Sequence, residues 1–272
     1  MDNATTQTRL NLPARVGAWW ARRREGGRVQ ALQRRCPPAT VAVGQIPPTV
    51  RAAWVRHAPA EFPGLAVDDA AWLRCALGLA QFFEACRLQQ EQGACALPSK
   101  AADSVWHAWL HADPAGLAEW QRRFFDRVVE HREADALGAP LDACLARTWV
   151  GACRSEGLSP LGPRLPLLFA LDALLRLPTG WAYRHAGGRL VHRGIDGFGK
   201  PAGRPVAHLA VAASGLVALG LVSEAELASL RRQAASGGSS CGGAAAVDGG
   251  CADGSSGCSC GGSGCGGGGG GS

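Results

Sequence analysis

The sequence predicts a mainly α-helical protein, an irregular helical bundle with Pro/Gly-rich connections and a disordered C-terminal tail. Three observations carry that prediction. Apolar residues recur at three- and four-residue steps behind good N-cap residues. No convincing series of strands and no internal repeat interrupts them. Glycine is concentrated at one end: residues 236–272 hold 17 of the 38 glycines, together with five of the eleven cysteines. The expected organisation is an α-helical domain over 1–235 followed by a Gly/Ser/Cys-rich tail over 236–272.

Residues 9–35 alternate apolar and arginine-rich blocks. Trp19 and Trp20 precede Arg22, Arg23 and Arg24, and Gly26-Gly27 separates them from Val29, Arg34 and Arg35. One short helix, or two broken at the glycines, fits. Residues 36–64 carry Pro37, Pro38, Pro47, Pro48, Pro59 and Pro63, and read as extended connections around a short helix near Thr49–His57.

Asp68-Asp69 then opens a strong helix. Trp72, Leu73, Ala76, Leu77, Ala80, Phe83 and Leu88 share a face, with acidic residues at the positive end of the dipole. Its end is expected near Gly93. Ser99 caps a helix over Lys100–Ala112. Asp113-Pro114 caps the next, with proline at its first position, and the apolar spacing carries that helix to about Glu133. So short a link folds the two back as an antiparallel pair.

Further helices fit Leu141–Ser155 and Leu165–Leu177, the second stopped by Pro178. Residues 178–205 hold seven glycines and three prolines, with a hairpin signal at Gly187-Gly188. The apolar run Val206–Val222 reads as a buried helix or helix pair; at 17 residues it sits at the short limit for a bilayer span. Ser223 and Glu226 have capping-box spacing ahead of Leu227 and Leu230.

Charge and composition bound the function. The formal charge is +6 overall, and +8 over residues 1–235 because the terminal segment contains only Asp248 and Asp253. Almost all of the basic residues are arginine, with Lys100 and Lys200 the exceptions. That pattern follows from GC-rich codon usage or from a polyanion-binding surface. A basic stretch beside tryptophans, as at Trp19–Arg24, suits nucleic acid or an anionic membrane. A solvated helix docked through its tryptophans is the plainer reading.

Cys36, Cys75, Cys86, Cys95, Cys144 and Cys153 form no C-x-x-C and sit in helix-like stretches as small hydrophobes. With no apolar secretory segment in residues 1–15, a cytoplasmic, reduced protein is expected. The five tail cysteines include Cys258-Ser259-Cys260, a spacing that suits a soft metal but no zinc finger. Gly194, Gly197, Gly199 and Lys200 lack the spacing of a phosphate loop, and Ser214-Gly215 lacks a nucleophile elbow. No catalytic or cofactor-binding residue is assigned.

The segment from Pro98 to Glu133 is the most informative. At 100° per residue, Val105, Trp106, Trp109 and Leu110 form the apolar face of its first helix. Asp103 and His107, one turn apart, lie at the edge of that face, and His111 lies further toward solvent. A carboxylate and an imidazole at i and i+4 either hydrogen-bond or share a metal. On the second helix Leu117, Trp120, Phe124, Val128 and His131 share a face, which aims His131 inward. Asp103, His107 and His131 would make a zinc or iron ligand set. A straight antiparallel hairpin opposes this, because it leaves His131 about 13 Å beyond the level of Asp103. Closure then needs a steep crossing, or a ligand from another helix such as the one carrying Cys86.

These residues also carry a resemblance. Pro98-Ser99-x-x-x-Asp103-x-x-Trp106-His107, the aromatic helix after it, and the stretch Leu165–Tyr183 resemble bacterial members of the glycine-rich domain-containing protein-like family, as does the Gly/Cys/Ser tail. The resemblance covers roughly 68–183 plus the tail. It departs at Glu130-His131, where a pair of histidines is common. It implies a shared fold and a shared polar site, and no reaction.

Taken together, the sequence points first to a non-enzymatic binding or scaffold module of unknown partner, a protein being one candidate. Two other readings compete with it. One is a metal-binding protein or metalloenzyme using Asp103 and His107 with zinc or another divalent ion. The other is a basic-surface binder of nucleic acid or anionic membrane.

Overall fold

A computed structural model describes residues 27, 30, 31 and 33–236, with side chains as far as 232. The basic Trp19–Arg24 stretch and the cysteine-bearing tail from 237 onward lie outside the described residues. The described part is mostly helical, and a small antiparallel sheet is added to the helices.

The proline-rich beginning is more helical than the sequence suggests. Pro37 and Pro38 open α1 (Pro37–Val43), and Pro48 opens α2 (Pro48–Glu61). Proline is tolerated in a first turn because the N–H it lacks has no intrahelical acceptor there. Asp68 caps α3 (Asp69–Leu88) by accepting from Ala71 N at 2.8 Å. This helix ends five residues before Gly93, in turns through Gln89–Gln92. It is the central element: Leu77, Leu79, Phe82, Phe83 and Ala85 are all buried, and α1, α4, α6 and α7 pack on it.

Helix α4 (Lys100–Ala112) starts at the expected Ser99 cap, whose hydroxyl accepts from Ala102 N. Asp172, buried on α7, reinforces the same end. It accepts from Ser99 Oγ (2.6 Å), Ala101 N (3.0 Å), Lys100 N (3.2 Å) and, from beyond α7, Trp181 N (3.0 Å). Its carboxyl is still pushed up by burial, against which these hydrogen bonds act.

Helix α5 runs from Pro114 to Phe125 and stops eight residues short of the expected end at Glu133. Asp126 takes a left-handed conformation (φ 60°), and the buried Gln121 side chain accepts from Val129 N at 2.7 Å. That amide replaces a helical partner and turns residues 126–133 back as an irregular segment. Neither Val128 nor His131 therefore continues the helical face on which spacing put them.

Helices α6 (Leu141–Ser155) and α7 (Leu167–Leu174) follow. The first has the expected bounds, and the second is shorter than 165–177. α6 lies against α3, where a Cβ on Gly151 would come within 2.7 Å of Ala85 Cα and O.

Three strands come next: β1 (Trp181–Ala186), β2 (Arg189–Ile195) and β3 (Pro201–His208), in the order β1-β2-β3. The β1–β2 hairpin turns at Gly187-Gly188, as the sequence indicates; φ is +58° and +71°, the pair of positive values a two-residue hairpin needs. The sheet itself is a correction to the strand-free expectation. So is the fate of Val206–Val222: Val206 belongs to β3, a 3-10 turn spans Leu209–Val211, and only α8 (Ala213–Ala218) is helical before Leu221 and Val222. Val206 and Leu209 are 50% and 61% exposed, so this run is no buried helix pair. Among the described residues no helix is long and apolar enough to cross a membrane. The last helix, α9 (Glu224–Ser236), begins with the expected capping box: Ser223 N donates to Glu226 Oε2 (2.8 Å) and Glu226 N to Ser223 Oγ (3.1 Å).

The main core is an aromatic-rich cluster, and Ala96, Cys144 and Leu145 form a small second one. Trp54, Trp109, Trp149, Phe82, Phe83, Phe125 and Phe169 are fully buried. Phe83 stands at its centre, against Trp106 (5.0 Å between centroids), Phe125 (5.7 Å) and Trp120 (5.9 Å). Through it, α4 and the chain leaving α5 are held against α3.

Candidate metal centre

The early end of α5 decides the position of His131. Because residues 126–133 double back, His131 lies over the N-terminal half of α4 instead of about 13 Å beyond it. Its ring meets Trp106 edge-to-face at 4.8 Å and His107 at 4.7 Å. Asp103 and His107 share one face of α4, as their i, i+4 spacing requires. The inward placement of His131 is thus reached by a loop rather than by helical phase, and all three side chains are about three-quarters buried. His111 is exposed, as its phase predicts.

Both carboxylate oxygens of Asp103 and one nitrogen of each imidazole converge. His131 Nε2 is 3.0 Å from Asp103 Oδ1 and 3.0 Å from His107 Nε2, and His107 Nε2 is 3.5 Å from Asp103 Oδ2. Each separation is close to the edge of a tetrahedron built on metal–ligand bonds of about 2.0–2.1 Å, roughly 3.3 Å, and one ligand atom from each residue lies within 4.8 Å of the other two. Asp103, His107 and His131 form the one cluster of potential metal ligands found among the described residues.

The far side of His107 is also engaged: its Nδ1 is paired with Glu61 at the end of α2. An Nδ1–H donated to that carboxylate leaves Nε2 as the lone-pair nitrogen, directed at Asp103 and His131. Phe62, the next residue, packs against the same ring at 5.9 Å. Sequence reasoning missed Glu61, since its place depends on α2 lying along α4 and leaves no local signal.

The electrostatics favour a positive charge at this point. The His131 imidazole is held above its ordinary value, first by its hydrogen bond to Asp103, with burial opposing and the charges of Asp103, Glu133 and Glu61 adding. Two imidazole nitrogens and a carboxylate facing one another need either a shared proton or a cation between them. A cavity of about 190 Å³, lined by Trp106, Val129 and Leu137, opens beside Asp103 and His131. Cys86, which marks the helix expected as another source of a ligand, lines a different cavity.

A second histidine cluster lies at the join of the sheet and α6. His208 Nδ1 is 2.8 Å from Asp142 Oδ1, and His208 Nε2 is 2.7 Å from His192 Nδ1. Asp142 also accepts from Ala210 N at 2.9 Å. The aspartate and His192 use opposite nitrogens of the His208 ring, so the three have no common point at which an ion could sit. Burial, and then His208, push His192 down. This cluster ties β2 and β3 to α6.

With this geometry in hand, the comparison with known families is informative. The family model described as UCP032817-like matches residues 53–198. The chain belongs to the UCP032817-like family. No curated protein and no solved structure matches it. The UCP032817-like span includes Glu61, Asp103, His107 and His131, and extends through Asp172 and the β1–β2 hairpin.

Proposed function

We propose that this UCP032817-like chain binds one divalent transition-metal ion through Asp103, His107 and His131. The observation that carries the reading is the convergence of their three ligand atoms, with His107 oriented by Glu61. Two imidazoles and one carboxylate suit zinc or ferrous iron, and three protein ligands leave a coordination position for water or a substrate. The 190 Å³ cavity is where such a molecule would enter. A bound ion would polarise that molecule or lower the pKa of its water, while Glu61 would keep His107 in its ligating tautomer. The chain's wider role is a cytoplasmic binding module built around that ion, and its likeness to the glycine-rich domain-containing protein-like family belongs to the same proposal.

A metal-free reading is favoured by a single observation: the 3.0 Å contact between His131 Nε2 and Asp103 Oδ1 is satisfied by one proton. Asp103, His107 and His131 then serve only to join α4 to the segment after α5. Elemental analysis of the full chain purified without added metal separates the two. One zinc or iron per chain is expected. It should be lost in His107→Ala and Asp103→Ala, and kept in a chain truncated after Ser236. Titration with zinc and with ferrous iron distinguishes the ions. Equal metal content in the wild type and His107→Ala would refute the metal reading.

A further inference from the structure

The two cavities meet at a cysteine that the metal site does not use. Cys95, in the segment joining α3 to α4, lines both. The larger, about 480 Å³, is also lined by Cys86, Arg127 and Arg132. Cys86 comes from the last turns of α3, and its thiol and that of Cys95 line the same cavity and interact electrostatically.

The backbone around Cys95 is pinned on either side. Arg147 donates to Ala94 O at 3.1 Å, and the Thr148 hydroxyl bonds Ala96 through both N–H (3.1 Å) and C=O (2.8 Å). Both cysteines therefore face one cavity, which Arg127 also lines. The thiols of Cys36, Cys75 and Cys153 are buried and line neither cavity.

We propose that Cys86 and Cys95 form a redox-responsive dithiol that closes reversibly to a disulfide when peroxide enters the larger cavity. The Cys95 thiolate attacks one peroxide oxygen. The O–O bond breaks, and the departing hydroxide takes up a proton to leave as water, giving a sulfenic acid on Cys95. The Cys86 sulfur then attacks the Cys95 sulfur. An S–S bond forms, the S–O bond breaks, and a second water leaves with the Cys86 proton. In sum, two thiols and one hydrogen peroxide become one disulfide and two waters, and an external dithiol returns two electrons.

The roles follow from the environments. Cys95 is held below the ordinary thiol value by the hydrogen bond from Cys86, with Thr148, Arg147 and Arg127 adding to this and burial opposing it. Cys86 is pushed up by burial and stays a thiol until the second step. Arg147 also reaches Cys144 Sγ at 3.8 Å, which makes Cys144 the competing partner to exclude.

The test treats the reduced full chain with hydrogen peroxide, blocks the remaining thiols and maps linked peptides by mass. The expected result is a Cys86–Cys95 cross-link, reversed by dithiothreitol, with Cys95 consumed on the order of tenfold faster than Cys75. In Cys86→Ser, Cys95 should instead be trapped as a sulfenic acid by dimedone. If that variant fails to fold, the wild-type map still decides. Both cysteines remaining reduced, or Cys95 linked to Cys144 or to a tail cysteine, would overturn the proposal.

Discussion

His131 is the residue whose chemistry depends most on its surroundings. On its own it is an imidazole with a pKa of about 6.5; beside Asp103 its folded value is raised. A raised folded value means that protonated His131 stabilises the fold. The stabilisation is complete below the unfolded value of about 6.5 and is lost as pH rises through the higher folded value. In a chelator-treated protein, stability should therefore fall as pH rises above about 6.5. Asp103→Asn should flatten that part of the profile, as measured by urea unfolding at each pH. An identical slope in the variant would show that the Asp103 contact does not set the His131 proton. Metal ligation needs the neutral ring, so protons compete with the ion and acid should weaken binding.

At the scale of elements, the close approach of α3 and α6 depends on Gly151. Alanine is worth about 1 kcal/mol more than glycine inside a helix on propensity alone. Here its methyl would meet the Ala85 backbone at 2.7 Å, and backbone cannot rotate aside. The clash wins, so Gly151→Ala should destabilise by about 1–3 kcal/mol, read as a lower urea midpoint. A stabilised variant would mean that the two helices are free to separate.

The elements also show how far local pattern reaches. Asp68, Ser99, Asp113 and Ser223 act as the caps their sequence context predicts, because an N-cap bond closes within three residues. The end of α5 was not legible in the same way. Phe124, Val128 and His131 continue a helical spacing, which the left-handed Asp126 and the capture of Val129 N by buried Gln121 break. Helix α1 leaves an ambiguous local signal, because Pro37-Pro38 suits a chain break as well as a first turn. The strands were obscured by Gly194, Gly203 and a bulge between His192 and Gly194.

Across the whole molecule, α2, α4 and the returning segment after α5 meet at the Glu61–His107–His131 site. An ion bound there favours the folded chain over the unfolded one by mass action. At a hundredfold excess over its dissociation constant, it should add about 2.7 kcal/mol. Zinc should therefore raise the Tm of the full chain, and His131→Ala should abolish the increase without changing the helical far-UV signal. An equal rise in His131→Ala would place zinc elsewhere on the chain.

The sequence by itself determined the helical class, most helix starts, the Gly187-Gly188 hairpin, and the shared face of Asp103 and His107. All of these rest on hydrogen bonds and spacings that close within a few residues. Only the tertiary structure decided that His131 returns to that face, that Glu61 from another helix holds His107, and that Cys86 and Cys95 line one cavity. Those contacts form because burial of the Phe83-centred aromatic core draws distant segments together, and the energy of that burial is written in no single stretch of chain.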